Sequence, residues 1–435
     1  MNLQPQSKMT HHHDVFHCLA TPGNLISPAE VAQLVARACP AADYRGKKVL
    51  LIVPDGTRTA PIGMMFKALF AEIGAITSAF DILVALGTHP PMPDAAICQR
   101  LEITLDEWCA RYSKVRFFNH EWDNPSALRR LGVIPAEEIQ QLSGGLFAMD
   151  VPVDVNARVF DYDEVIIVGP VFPHEVVGMS GGNKYLFPGV GGADILNFFH
   201  WLGAVVTNLG IIGNPHTPVR AVVDRAGAMV NVPKKCFALV AKDGGAVAII
   251  AGTPEDAWAG AAAISAEHHI VWKERSYHTI LSCASPMYDE LWVGAKAMYK
   301  LEPVLAEGGE LIIYAPQIHE VSVVHGRFIR QVGYHCRDYF LKQWEQFRHL
   351  PWGTLAHCTH VYGAGTYENG IETPRARLTL ATGIPEDVCR EINLGYRDWR
   401  SIRPEDYAGR EDEGVLLVPK AGEQLYKLRA GSGRG

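Results

Sequence analysis

The chain has 435 residues, of which 48% are hydrophobic and 20% are charged. This length accommodates two or three ordinary domains, and this composition is typical of a globular protein with buried cores. The formal net charge of -7 excludes the strongly basic surface that nucleic-acid binding requires. No apolar run is long enough to cross a bilayer. We therefore expect neither a nucleic-acid partner nor a membrane partner.

Nine cysteines are scattered along the chain, and none of them forms a C-x-x-C pair. An odd number without metal-binding spacing argues against a disulfide scaffold and against a structural zinc site. The N-terminus is polar, contains His11–His13 and lacks the basic-then-apolar pattern of a secretory signal. These features predict free thiols, a mobile N-terminal arm and a cytoplasmic protein.

The first 270 residues alternate between helix and strand patterns, which predicts an α/β domain. Helices are expected at 28–38, 61–73, 93–101, 193–202 and 254–265. Strands are expected at 48–54, 81–86, 114–118 and 165–168, with two more inside 235–251. The first of these helices has Ser27 as N-cap and Glu30 three residues later, which is a helix-start pattern.

A second α/β block begins near Val271. Its expected helices lie at 289–304 and 337–347, and its expected strands at 310–315 and 414–419. We therefore divide the chain into an N-terminal Rossmann-like α/β domain at 1–270 and a second α/β domain at 271–435. The tail of the second domain is expected to return to the first domain.

One segment after the strand pattern at 165–168 concentrates chemically active residues. It contains His174, the turn Ser180-Gly181-Gly182 and Lys184, and His200 follows sixteen residues later. Glycines allow the backbone N–H groups to approach and bind a phosphate. A lysine can neutralise charge or form a covalent bond. The segment therefore predicts a cofactor site with an acid/base group beside it.

The commoner motifs of this kind do not fit. Lys184 is followed by tyrosine, where a P-loop needs serine or threonine. His174-Glu175 is not followed by the second histidine of a zinc-protease helix, because residue 178 is glycine.

Two further polar motifs also follow apolar strands. Asp55-Gly-Thr-Arg58 comes after the strand at 48–54, and Leu86-Gly-Thr-His89 after the strand at 81–86. In open α/β sheets, ligands bind in the crevice outside the carboxyl ends of the strands. We therefore expect these loops and the Pro173-His174 loop to meet at one site.

Taken singly, each of these residues also has an ordinary structural interpretation. Asp55 can cap the next helix, Lys184 can be a solvated surface residue, and His200 can belong to an aromatic helix face. Three other histidines, His120, His357 and His360, remain open as metal ligands or as structural residues. His319 and His325 follow a buried strand of the second block and can face the cleft.

The three motifs, in this order, resemble the lactate racemase family, whose enzymes carry a nickel-pincer nucleotide. The resemblance extends from about residue 45 to residue 215. It implies that Lys184 attaches the cofactor covalently and that His200 binds its nickel. It also implies two acid/base groups, His89 and His174, with the active site in the cleft between the domains. The remaining implied residues are Arg58 and Lys296 for the substrate, and Asp55, Thr57, Ser180, Gly181 and Gly182 for the ribose and phosphate.

The resemblance implies a racemase or epimerase that inverts C2 of a 2-hydroxy acid by hydride transfer. Lactate-active members carry Tyr-Gln where this chain has Trp292-Val293, so the expected substrate is lactate or a larger 2-hydroxy acid such as an aldonic acid. Expected partners are this small acid and the enzymes that synthesise the cofactor. Two other functions remain open, namely a non-catalytic protein that binds the cofactor or a hydroxy acid, and a conventional metal-dependent hydrolase.

Overall fold

The structure, a computed structural model, describes residues 14–57 and 59–429, so the predicted arm at His11–His13 lies outside the described residues. The N-terminal strands are β1 (Phe16–Leu19), β2 (Lys48–Pro54), β3 (Ala79–Ala85), β4 (Phe117–Asn119), β5 (Leu128–Ile134), β6 (Val151–Asn156), β7 (Glu164–Pro170), β8 (Pro173–His174), β9 (Gly178–Met179), β10 (Lys234–Lys242) and β11 (Gly245–Gly252). The helices between them are α1 (Pro28–Ala38), α2 (Ile62–Leu69), α3 (Asp94–Arg100), α4 (Leu105–Arg111), α5 (Ala136–Leu142), α6 (Ala193–Val206), α7 (Asn208–Ile211), α8 (Pro218–Gly227) and α9 (Pro254–His269).

The C-terminal part follows directly. Its strands are β12 (Ile270–Lys273), β13 (Tyr277–Ala284), β14 (Leu305–Ala315), β15 (Gly365–Glu368), β16 (Ile371–Pro374), β17 (Arg377–Thr382), β18 (Gly395–Tyr396), β19 (Val415–Ala421) and β20 (Leu425–Leu428). Its helices are α10 (Leu291–Gly294), α11 (Lys296–Tyr299), α12 (Gly326–Val332), α13 (Arg337–Lys342), α14 (Trp344–Phe347), α15 (Trp352–Tyr362) and α16 (Glu386–Glu391).

Two large sheets organise these elements. The first has the order β1-β11-β10-β7-β2-β3-β4, in which β10 to β4 run parallel. Strand β11 pairs antiparallel with both β10 and β1, so it alone runs in the opposite direction. The second has the order β18-β17-β14-β13-β19 and is parallel throughout. The predicted two-domain α/β class is confirmed.

The apolar strands are continuous runs because the first sheet is covered on both faces. In β2, Leu50 and Ile52 pack into one core, whereas Val49, Leu51 and Val53 pack into the core on the opposite face. All five side chains are completely buried. Parallel strands with both faces buried lose the alternating pattern of a half-exposed strand, which is why this strand is readily predicted from sequence.

The predicted helix start at Ser27 is confirmed, since its side chain and that of Glu30 form a reciprocal capping box. The single helix predicted at 289–304 is wrong, because the chain there forms α10, α11 and a short 3₁₀ turn. The break follows Gly294, where an added Cβ would lie 2.4 Å from the Ile318 side chain. The helix predicted at 337–347 is likewise divided, into α13 and α14.

The C-terminal end returns toward the start of the second block. Strand β20 pairs in parallel with β12, and Tyr426 N–H donates to the Lys300 carbonyl at 2.9 Å. Leu425 also approaches Gly213 of the N-terminal part. The domain boundary at residue 270 stays a prediction. Within the described residues, no helix has the length and apolarity needed to cross a membrane.

Candidate active site

The three loops singled out in the sequence meet in one cavity. Strands β7, β2 and β3 are neighbours in the first sheet and run parallel, so their carboxyl ends lie side by side. Asp55, His89 and His174, which follow these strands, all line this cavity. The sheet topology therefore brings together groups that are more than 100 residues apart in sequence.

Asp55 and His89 form a dyad. The Asp55 carboxylate accepts hydrogen bonds from the Thr57 backbone N–H at 3.1 Å and hydroxyl at 2.7 Å, and its other oxygen pairs with His89 Nδ1. Burial alone would raise the pKa of Asp55, but His89 and Thr57 outweigh it and hold this pKa below its usual range. Asp55 was predicted to bind ribose or phosphate; here its partner is His89. Because a carboxylate can only accept, His89 Nδ1 carries a proton toward it, and in the neutral ring the lone pair is on Nε2.

His174 is held in the opposite tautomer. Its side chain is buried, and its Nδ1 accepts a hydrogen bond from the Val176 N–H at 3.1 Å. A neutral His174 therefore carries its proton on Nε2. The Glu175 carboxylate lies 3.5 Å from the same Nδ1. It can therefore stabilise a proton on Nδ1 when the ring adopts the other tautomer.

Lys184 lines the cavity on a short 3₁₀ turn, Gly182–Tyr185. The two preceding glycines adopt positive φ angles, +91° at Gly181 and +59° at Gly182. Added Cβ atoms would lie 2.6 Å from Val171 and 2.8 Å from the Pro254 carbonyl. These glycines are therefore required by close packing behind the site.

The predicted phosphate role of the Ser180-Gly181-Gly182 turn stays a prediction. Gly181 and Gly182 are not among the cavity-lining residues in the described part of the chain. The Ser180 hydroxyl donates to the Pro170 carbonyl at 3.1 Å and accepts from the Phe172 N–H at 2.8 Å. Ser180 lines the cavity but fastens the turn to the end of β7.

A buried arginine behind the turn was missed by the sequence reasoning. Arg220 on α8 donates to the carbonyls of Met179 at 2.5 Å and Gly181 at 3.3 Å. Its guanidinium stacks 4.1 Å from the ring centre of Trp258, whose Nε1–H donates to the Ser180 carbonyl at 2.9 Å. The carbonyls of Met179, Ser180 and Gly181, which precede Lys184, therefore all accept hydrogen bonds from Arg220 or Trp258. In the sequence, Arg220 and Asp224 form only an ordinary helical Arg-x-x-x-Asp pair, which does not indicate that Arg220 contacts the turn before Lys184.

His200 projects from α6 into the same cavity. Its Nδ1–H donates to the Leu196 carbonyl at 2.6 Å. Burial lowers the pKa of His200 to about 4, so the ring is neutral and Nε2 keeps a lone pair. A neutral imidazole fixed through its other nitrogen is the form in which histidine binds metals.

The second domain closes the cavity from the other side. Lys296 on α11 is buried, lines the cavity and helps to lower the pKa of Asp55. Trp292 also lines it and is stacked between His325 and His357. His325 further contacts the Thr88 hydroxyl at 3.1 Å, which joins the two domains across the cleft.

The other residues singled out in the sequence have four different outcomes. Arg58 lies outside the described residues. His120 is structural, since it is buried and contacts the Gly191 carbonyl at 2.9 Å and Asn156 at 3.2 Å. His319 is not among the described residues that line the cavity, whereas His357 and His360 are. The pattern H-x-x-H on a helix was the available signal for the last two.

These features define a two-domain α/β protein with a histidine- and lysine-lined cleft at the carboxyl edge of a parallel sheet. The family model described as the lactate racemase N-terminal domain matches residues 34–209. A Thermotoga maritima protein of solved structure is 30% identical, with a TM-score of 0.85 over 94% of this chain and 99% of that one. The chain belongs to the lactate racemase family.

A second solved structure shows the same fold at lower identity. The lactate racemase apoprotein from Thermoanaerobacterium thermosaccharolyticum is 14% identical, with a TM-score of 0.68 over 91% of this chain and 93% of that one. No curated protein sequence matches the chain significantly.

Proposed function

We propose that the protein is a racemase or epimerase that inverts C2 of a 2-hydroxy acid, with a nickel-pincer nucleotide bound through Lys184 and His200. The observation that carries the proposal is the pairing of His89 and His174 in one cavity in opposite tautomers. One imidazole offers a lone pair and the other an N–H. The two enantiomers present the C2 hydroxyl on different sides, so moving its proton for both of them needs an acid/base group on each side.

The residues present fit the proposed cofactor. The Lys184 side chain and the His200 imidazole line the same cavity. The Leu196 carbonyl fixes the His200 Nδ1–H, and the remaining Nε2 is a nitrogen donor of a type that nickel accepts. When bound, such a cofactor supplies an acceptor for the C2 hydrogen together with its electron pair.

The protein's own groups supply binding and proton movement. His89 Nε2 removes the hydroxyl proton of a substrate bound on its side, while Asp55 stabilises the resulting imidazolium. His174 Nε2–H donates a hydrogen bond to the substrate oxygen. For the opposite enantiomer His174 acts as the base at Nε2. This requires that the Nε2 proton first leaves to solvent and that solvent supplies a proton to Nδ1, beside the Glu175 carboxylate. Lys296, and Arg58 by family resemblance, hold the carboxylate.

The alternative functions are less well supported. A zinc hydrolase site takes three protein ligands, and no cluster of three or more His, Cys, Asp or Glu side chains suited to a metal occurs in the described parts of the chain. A non-catalytic binding protein does not need the Asp55–His89 dyad. We further propose a cytoplasmic location, which fits the nine free cysteines.

The test is to produce the protein together with the enzymes that synthesise the cofactor. We expect near-stoichiometric nickel, a covalent mass increment on Lys184, and racemisation of at least one 2-hydroxy acid in chiral chromatography. Lys184→Ala is expected to lose the increment and the activity while remaining folded. A wild-type protein without nickel and without the increment contradicts the proposal.

A further inference from the structure

Glu175 directly follows His174 in the chain and lines the active-site cavity. Its side chain is only 15% exposed, and one of its carboxylate oxygens lies 3.5 Å from His174 Nδ1. In the proposed reaction, the opposite nitrogen of this imidazole contacts the C2 hydroxyl of the substrate. The imidazole ring is then all that separates the carboxylate from that hydroxyl, so a charge on a neighbouring substrate carbon lies close to Glu175.

The other charged groups of the cavity already have roles. Among the described residues that line it, the second carboxylate is that of Asp55, which is paired with His89. The lining lysines are Lys184, which is proposed to carry the cofactor, and Lys296, which is proposed to hold the C1 carboxylate. A second carboxylate on the substrate therefore has no lining lysine left to receive it.

The charge of Glu175 acts on both helices that flank the cavity. Burial lowers the pKa of His200 on α6 and the pKa values of His357 and His360 on α15, and the negative charge of Glu175 opposes this effect at each ring. All three rings line the cavity and are neutral, so they add no positive charge there. A buried wall of this kind screens a charge less than water does.

We propose that Glu175 excludes substrates with a second carboxylate, so that the protein acts on 2-hydroxy acids whose only negative charge is at C1. Two like charges about 8 Å apart, at an effective dielectric constant of about 20, weaken binding roughly thirtyfold. Removing a second carboxylate from water adds a further cost when no cation receives it. The inference rests on the proposed function, and it makes Glu175 a determinant of substrate charge.

The experiment compares malate with malamate, in which an amide of nearly the same size replaces the C4 carboxylate. Wild type and Glu175→Gln are titrated with both acids by calorimetry, with and without the cofactor, and kcat/KM is measured for the loaded proteins. We expect wild type to prefer malamate by roughly tenfold or more, and Glu175→Gln to lose most of this preference. A general loss of turnover from the change beside His174 affects both acids and cancels in their ratio.

Two further variants control for other causes. Glu175→Asp keeps the charge and is expected to retain the preference for malamate. Glu164→Gln removes the same charge at the opposite end of β7, where the carboxylate accepts hydrogen bonds from the Tyr44 hydroxyl at 2.6 Å and from Lys47 at 3.1 Å. This variant is expected to leave the preference unchanged.

The outcomes separate this inference from the proposed function. A preference that Glu175→Gln removes in calorimetry supports the charge exclusion even when neither acid is racemised, and the missing turnover then contradicts the proposed function alone. Equal affinity of wild type for both acids, or an unchanged preference in Glu175→Gln, overturns the exclusion. Failure of both acids to bind to either protein also overturns it, because size is then the barrier. A loss of nickel and cofactor mass in Glu175→Gln does so as well, because the carboxylate then serves the cofactor.

Discussion

The carboxylate of Asp55 pairs with Nδ1 of His89 across the ends of the neighbouring strands β2 and β3. Asp55 and His89 are distant in sequence but in contact in the structure. Each lies in a loop that follows a buried strand. This pairing fixes the tautomer of the histidine that faces the cavity. It makes Asp55 a positioning residue and gives the first prediction.

Asp55→Asn is expected to lower kcat by roughly 10²–10⁴-fold, because an amide no longer stabilises the His89 imidazolium and permits the wrong tautomer. The pH profile of kcat/KM should change as well. Thr57→Val, which removes a hydroxyl from the same carboxylate but leaves the pair intact, serves as the control with a smaller effect. An unaltered rate and profile in Asp55→Asn would show that the dyad has no catalytic role.

His89→Ala and His174→Ala are each expected to reduce inversion by roughly 10²–10⁴-fold, since each removes the acid/base group on one side of the substrate. The two variants should differ in which enantiomer still gives a single-turnover absorbance change with the loaded enzyme. Stopped-flow mixing with each pure enantiomer measures this. The same enantiomer preference in both variants, or wild-type inversion in either, argues against two bases.

Arg220→Lys is expected to loosen the turn that carries Lys184, because one ammonium cannot reach both the Met179 and Gly181 carbonyls as the guanidinium fork does. Breaking such a buried network typically costs roughly 3 kcal/mol or more in the free energy of unfolding. Hydrogen exchange should rise in peptides covering 178–186. Arg225→Lys on the same helix, where the arginine pairs with Glu138, is the control and should leave this exchange unchanged.

Acidification should destabilise the protein between pH 6.5 and pH 4. Burial lowers the pKa of five histidines from 6.5 to about 4, namely His120, His200, His269, His325 and His360. In this window the unfolded chain binds more protons than the folded protein, so stability falls as the pH is lowered.

His269→Gln provides the matched variant for this prediction. His269 lies outside the cavity-lining set of the described residues, and its Nε2–H donates to the Ala241 carbonyl at 2.7 Å. Removal of its imidazole should flatten the dependence of the unfolding free energy on pH by up to about 1 kcal/mol per pH unit. Denaturant titrations at several pH values measure the slope, and an identical slope in variant and wild type contradicts the assignment.

Local patterns were sufficient to predict part of the fold. The capping residues of α1 and the unbroken apolar runs of β2 and β7 depend on short-range chemistry and on burial of both sheet faces. The segment at 289–304 has the local pattern of one helix, whereas the structure divides it into α10, α11 and a 3₁₀ turn. The division follows Gly294, where an added Cβ would lie 2.4 Å from Ile318, a residue distant in sequence.

The sequence by itself determined the α/β class, the order of the motifs and the residue types that the site contains, since these follow from periodicity and from side-chain chemistry. Only the tertiary structure decided which of them touch. It paired Asp55 with His89, turned Ser180 toward β7, put Arg220 behind the Lys184 turn and placed His357 and His360 in the cavity wall. The reason is physical: hydrogen-bond partners and tautomers depend on which chain segments are adjacent in space, and sheet order and helix packing set that adjacency.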